Sequence, residues 1–262
     1  MREDILQLLD DLAADERGGI TTAEVRERLG LSEQSASNLM SRLVRDGFLD
    51  RVARGVFAPR PLGRLGTRAA SEDIALAVGA AFSREPHRIA FGSALAHHDL
   101  LVHPARTVQV AMPRRVKLHR ISGRRLQPVH EASATIAIGS EAAGHGAVVS
   151  SVERALLESA GRPTLAGDWT IIAGALDQAS IDPDKLTEIA RQLNADIALR
   201  RIGSLAEAQR LDDLAQQLPS PPSDARVIPL DPQAPPEEPW TDPRWRVRWP
   251  IPRHRVMDLV SA

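Results

Sequence analysis

Along residues 21–58 the spacing of apolar positions changes twice, and each change marks a new element. Ala23, Val25 and Leu29 recur at helical spacing behind Thr21 or Thr22, either of which can cap, and predict a short first helix. Gly30 ends it where the backbone must turn sharply, Leu31 plugs the gap between two helices, and Ser32 restarts the chain as a cap. Ala36, Leu39, Met40, Leu43 and Val44 then mark the buried side of a second helix, and the same period turns Gln34, Ser35, Ser37, Asn38, Ser41, Arg42 and Arg45 outward. Gly47 stops that helix. Residues 48–52 and 55–58 then pair as a hairpin around Ala53 and Arg54, which puts Arg51 and Arg54 at its tip. A helix, a turn, a polar-faced helix and a basic hairpin, in that order, predict a winged helix-turn-helix that docks on DNA. Short hydroxyl and amide groups on the second helix suit base edges, Arg42 and Arg45 reach phosphates or guanine, and Arg51 and Arg54 are the expected wing contacts. The plainer alternative is a solvated polar face and a hairpin that only closes a small domain.

Pro59, Pro61, Gly63 and Gly66 break any regular element and set the expected end of a first domain at residues 1–62. A mixed α/β domain is expected over residues 63–218. Its pattern predicts helices at 72–83 and 92–98 and strands at 87–90, 107–112, 126–130, 135–138 and 147–149. Ser93 reads as the cap of the second of those helices. Ser150 and Glu153 read as a capping box into a further helix, and helices are expected at 169–178, 183–194 and 196–218. Eleven prolines between residues 219 and 252 then predict an extended arm over 219–262. Strict alternation there sets Trp245, Val247 and Trp249 on one side and Arg244, Arg246 and Arg248 on the other, the pattern of a strand laid on an apolar groove. Such an arm docks on its own domain, exchanges with a second subunit, seats a partner protein or adds a basic strip for phosphate, and the sequence leaves these open. The expected fold class is α+β: an N-terminal winged helix-turn-helix, a mixed α/β domain and an extended Pro/Trp-rich C-terminal arm.

Composition narrows the chemistry. The chain has 262 residues, 43% of them hydrophobic and 26% charged, enough for two globular domains. It has no cysteine, which excludes a disulfide framework, a thiolate metal site and a cysteine nucleophile. The first nineteen residues read as an acidic amphipathic helix rather than a signal sequence, and no uncharged apolar run reaches membrane-spanning length, so a cytoplasmic protein with no membrane partner is expected. A net charge of −1 conceals an asymmetry: residues 51–125 hold fourteen basic side chains against four acidic ones. Arg60, Arg64 and Arg68 lie where they could follow a DNA backbone beside the hairpin.

Each constellation that suggests catalysis has a structural alternative. His97, His98, Asp99 and His103 are close in sequence, but the adjacent histidines point to different sides of a helix, and His98 is better suited to a backbone carbonyl. Ser93 lacks the flanking glycines of a nucleophile elbow. Glu153 falls where it closes a cap, with Arg154 on the helix surface or reaching a nearby carboxylate. Gly139, Gly144 and Gly146 lack the lysine and hydroxyl of a phosphate loop. No catalytic residue, metal or cofactor is expected.

The stretches ARGVFAPRP (53–61), RIAFGSALAHHDLL (88–101) and VVSSVERALLESAGRP (148–163) resemble, in order and spacing, the AbiEi family of antitoxin regulators. The resemblance runs over about residues 3–215, and residues 150–158 are its most specific part. Two departures stand out: Phe57 where the family often has Tyr, and Asp99 where Gly is common. The resemblance implies a winged-helix domain joined to an α/β antitoxin domain. It also implies a repressor that binds double-stranded DNA at its own promoter and counteracts a nucleotidyltransferase toxin, directly or indirectly. With no heptad helix or large apolar seam, a monomer or weak dimer is expected. The rival readings are a metabolite-responsive winged-helix regulator and a protein whose larger domain does chemistry.

Overall fold

A computed structural model of the chain describes residues 3–14, 18–60, 73–101, 107–235, 237–253 and 255–256. Among these, no helix is long and apolar enough to cross a membrane. The protein is a mixture of helices and sheets, packed as two compact units. The first unit comprises Met1–Ile89, Arg106–Ile136 and Glu141–Val149, and the second comprises Ala90–Ala105, Ala137–Ser140 and Ser150–Ala262.

The first unit opens with helix α1 (Glu3–Ala14), strand β1 (Ile20–Thr21), helices α2 (Thr22–Leu29) and α3 (Glu33–Arg45), and strands β2 (Leu49–Ala53) and β3 (Val56–Pro59). Thr21 caps α2 through a complete capping box: its hydroxyl accepts the Glu24 N–H at 3.2 Å, and the Glu24 carboxylate accepts the Thr21 N–H at 2.8 Å. Gly30 closes α2, and the Ser32 hydroxyl caps α3 by accepting the Ser35 N–H at 3.2 Å. Leu8 and Leu12 of α1 join Val25, Ala36, Met40, Leu43, Leu49 and Phe57 in one core, with Leu31 packed partly buried against it. The three strands form a sheet in the order β1-β3-β2.

Two details of this hairpin differ from the sequence expectation. Ala53 pairs with Val56, so the turn is Arg54–Gly55, with Gly55 at φ 75°, and Arg51 lies within the strand opposite Phe57 rather than at the tip. Arg60, expected to face DNA, is buried in an ion pair with Asp50, to which it donates two hydrogen bonds of 3.0 and 2.8 Å. Arg64, Arg68 and His103 lie outside the described residues.

The unit continues with α4 (Ile74–Phe82), capped by the Asp73 carboxylate, and β4 (Arg88–Ile89). Beyond helix α5 (Phe91–His97) of the second unit come β5 (Thr107–Met112), β6 (Arg120–Ile121), β7 (Arg124–His130), α6 (Ser133–Ile136), β8 (Ser140–Gly144) and β9 (Ala147–Ser150). The larger sheet has the order β6-β7-β5-β4-β9-β8. β5 pairs parallel with β7 and antiparallel with β4, and Val108 to Met112 are all buried, as suits a strand inside a sheet. The strand expected at 135–138 is instead the helical turn α6. Thr135 and Ser140 each donate a side-chain hydrogen bond to a carbonyl three residues back, and Arg88 donates to the Ile136 carbonyl at 2.7 Å. These local bonds override the strand propensity of the segment.

The second unit is mainly helical: α5, α7 (Val152–Gly161), a 3₁₀ turn (Pro163–Leu165), α8 (Trp169–Gln178), α9 (Pro183–Leu193), α10 (Asp196–Ala208) and α11 (Asp212–Gln217). The single helix expected at 196–218 breaks between α10 and α11, where Arg210 takes φ 58°. Ser151 rather than Ser150 caps α7, and Ser93 is buried inside α5 while Ala90 occupies its cap position. Strands β10 (Ile228–Pro229), β11 (Trp240–Asp242) and β12 (Val247–Trp249) form a small sheet in the order β10-β12-β11. Trp245, Val247 and Trp249 are fully buried, so the proline-rich segment closes the core of its own unit. The alternation is not one strand: only residues 247–249 are extended, and residues 243–246 form a turn with Arg246 at φ 56°.

Candidate nucleic-acid interface

Helix α3 separates its two faces sharply. Ala36, Leu39, Met40 and Leu43 are buried, whereas Gln34, Ser35, Ser37, Asn38, Ser41, Arg42 and Arg45 are all exposed. Some of the polar groups are already ordered by one another. The Gln34 amide donates to Asn38 Oδ1 at 3.0 Å, and the Ser32 hydroxyl donates to the Ser35 hydroxyl at 2.9 Å. Ser35 therefore belongs in part to the helix cap. Arg45 lies 3.5 Å from the Asp46 carboxylate, an exposed contact that a ligand can displace at little cost. An open groove of about 640 Å³ beside the helix is lined by Asp4, Leu31, Ser35, Asn38, Arg42 and Arg45 among others.

The hairpin supplies the second part of the surface. Arg54 is exposed in the two-residue turn, and Arg51 is exposed with its guanidinium 5.7 Å from the centre of the Phe57 ring. The Asp50–Arg60 pair ties the base of β2 to the end of β3. Residues 18–60 carry seven arginines and five acidic side chains, and besides Asp46 two of those acids are engaged within the unit. Asp50 binds Arg60, and Glu24 serves the capping box and an ion pair with Arg84. The exposed groups are hydrogen-bonding amides and hydroxyls beside guanidinium ions, the chemistry suited to base edges and phosphates.

The constellations that suggested catalysis form structural bonds. The rings of His97 and His98 meet edge to face at 5.4 Å, and His98 Nε2 donates to the Ser150 carbonyl at 2.7 Å. Among the described residues no three metal-ligating side chains are grouped. Glu153 is buried, and burial alone raises its pKa. The Lys185 ammonium at 2.7 Å and the Ser151 hydroxyl at 2.9 Å outweigh that and hold the carboxyl below its ordinary range. Arg154 is buried rather than on the helix surface and meets the Glu158 carboxylate at 3.3 Å. Glu158 also accepts the Phe91 N–H at 2.6 Å and the Ser150 hydroxyl at 2.7 Å. Glu158 is thus a hub of the second unit, and its i,i+4 spacing from Arg154 is the one sign of this in the sequence.

This exposed helix face beside a basic hairpin lies within the segment of the chain that matches a family model. Residues 7–60 match the family model described as "Transcriptional regulator, AbiEi antitoxin", the family that the sequence resembles. The match runs from within α1 to the end of the hairpin and does not include residues 150–158. No curated protein matches the chain. The fold of the whole chain is similar to the crystal structure of RV2827C protein from Mycobacterium tuberculosis, with a TM-score of 0.65 and 18% sequence identity over 100% of this chain and 96% of that one.

Proposed function

We propose that this protein is a sequence-specific DNA-binding antitoxin that represses its own toxin-antitoxin operon and counteracts a nucleotidyltransferase toxin. The observation that carries the reading is the exposed polar face of α3 beside Arg51 and Arg54, inside the segment that matches an AbiEi regulator. On this reading residues 1–62 are the winged helix-turn-helix domain and α3 is the recognition helix. Gln34, Ser37, Asn38 and Ser41 meet base edges, with Ser35 at the helix entry and Arg42 and Arg45 directed to phosphate or guanine. Arg51 and Arg54 are the wing contacts. Phosphate contacts set register, and the amide and hydroxyl groups carry discrimination.

Two variants separate those roles in a gel-shift titration against DNA from upstream of the gene. Arg54→Ala should weaken binding to every duplex and reduce the slope of log affinity against log salt by about 0.9, the effect of one phosphate contact. Asn38→Ala should mainly narrow the preference for the upstream sequence over a scrambled one, by about 1–3 kcal/mol. If neither variant differs from the parent, α3 and the wing are not the docking face. A nucleotidyltransferase gene beside this one would favour the antitoxin part, and co-expression with it tests that part: growth should be restored by the full chain. An adjacent metabolic operon in place of that gene would favour the metabolite-responsive regulator.

A further inference from the structure

The β6–β7 hairpin is not used by the docking face described above, yet it is bonded to it. Its turn is Ser122–Gly123, with φ of 44° and 76°, and Ile121 anchors it in the core. Two successive positive φ values match the tight hairpin turn whose twist suits the flanking strands. β2 is bulged at Val52, which has no partner between the Arg51–Phe57 and Ala53–Val56 pairs. The carbonyl of Val52 accepts the Ser122 N–H at 2.8 Å. A bulge takes a residue out of its ladder. Here the released carbonyl clips the tip of one hairpin onto the strand of another, between Arg51 and Arg54.

The clipped hairpin is basic. Residues 114–130 contain Arg114, Arg115, Lys117, Arg120, Arg124 and Arg125 and no acidic residue. Arg114 is engaged by Glu85, but Arg115, Lys117, Arg120 and Arg125 are all exposed. Arg120 and Arg125 are direct cross-strand partners. Like charges placed opposite each other weaken a strand pair, so the arrangement costs stability unless an anion lies between or above them. The guanidinium of Arg120 also donates to the Gly123 carbonyl at 2.9 Å, which holds it near the turn.

We infer that the β6–β7 hairpin is a second phosphate-binding finger, in which Arg120 and Arg125 neutralise DNA backbone phosphates next to those met by Arg54. The inference rests on the DNA-binding reading. The ligand is duplex DNA rather than an acidic protein because the main-chain clip makes this charge continuous with the wing, so a repeating phosphate lattice that meets one hairpin passes the other. Contacts of this kind set grip and register and do not read bases.

The test is the salt dependence of affinity for two duplexes of about 30 base pairs, roughly three helical turns. One carries the upstream DNA and the other a scrambled sequence, and both are titrated with the full-length parent, Arg120→Ala/Arg125→Ala and Arg120→Lys/Arg125→Lys. The alanine pair should lower the slope of log affinity against log salt by about 1.8, at about 0.9 per phosphate, on both duplexes. The lysine pair should keep the parental slope, and the preference for upstream over scrambled DNA should be unchanged in all three. The thermal midpoint of the alanine pair should equal or exceed that of the parent, since a like-charge pair is removed. Should that variant fail to fold, Arg125→Gln alone reads the same quantity, with a slope loss of about 0.9. An unchanged slope, a loss shared by the lysine pair, or a lost sequence preference overturns the finger. If Arg54→Ala changes the slope while the hairpin variants do not, only the finger falls; a parent that binds neither duplex overturns the DNA-binding reading itself.

Discussion

Asp50 and Arg60 have side chains only 6% and 5% exposed, and two guanidinium N–H groups converge on one carboxylate oxygen. Removing Asp50 leaves the buried Arg60 guanidinium without its carboxylate, so Asp50→Ala should cost about 3–5 kcal/mol in chemical denaturation. A loss below about 1 kcal/mol would mean the pair is as well solvated as a surface bridge. Ten residues separate the two side chains, and only the register of β2 against β3 brings them together. For that reason Arg60 read as one more basic residue beside the hairpin. Glu153 carries a prediction in pH. Its carboxyl titrates below the ordinary 4.5 when folded, so its contribution is complete above that value and is lost as pH falls through the folded pKa. The thermal midpoint should therefore drop on acidification, and Lys185→Met should flatten the drop in that window. Matching acid profiles for parent and variant would remove this ion pair as the cause.

At the scale of elements, α10 shows what periodicity reveals and what it hides. The helix was legible from its apolar spacing, but its use as a platform was not. Arg200 donates to the Trp245, Arg226 and Arg246 carbonyls, and Arg201 donates to those of Pro229, Ala160 and Gly161. Ser204 bonds Asp242 and Trp249, and Glu207 accepts the Trp245 indole N–H. Gly203 lies among them, and a Cβ there would stand 2.5 Å from the Trp245 ring. Gly203→Ala gains up to about 1 kcal/mol of helix propensity but forces a fully buried indole to move, at about 1–3 kcal/mol. The clash should win, so the denaturation midpoint should fall; a rise would show that the indole has room. The exposed polar face of α3 was legible for the opposite reason: a 3.6-residue period alone divides it from the buried Ala36, Leu39, Met40 and Leu43. What escaped the sequence depended on local bonds or strain, as in the turn at Thr135, the cap at Ser151 instead of Ser150, and the break at Arg210. In the tail, Arg244 lies over the Trp245 ring and donates to the Ala215 carbonyl, so a turn stands where alternation read as strand.

Across the whole molecule the chain passes repeatedly between its two units, and the proline-rich tail completes the second of them. Eleven prolines between residues 219 and 252 deprive that tail of backbone donors. Beside the main-chain bonds of its small sheet, it is held by donors from α10 and by its indoles, with Trp249 edge-on to Trp169 at 5.4 Å and stacked on Trp240 at 5.7 Å. Trp245→Ala should therefore cost about 3–5 kcal/mol, as for other large buried aromatics. Where the tail docks decides a further observable. A tail seated on α10 of its own chain gives an unfolding midpoint independent of protein concentration, because no association is linked to folding. A tail exchanged between two copies would raise the midpoint with concentration, and Trp245→Ala would then remove that dependence together with the stability. Denaturation followed by indole fluorescence over a hundredfold range of concentration distinguishes the two. The bonds that Arg200, Arg201, Ser204 and Glu207 make to the tail seat it on α10, and a constant midpoint is the expected outcome.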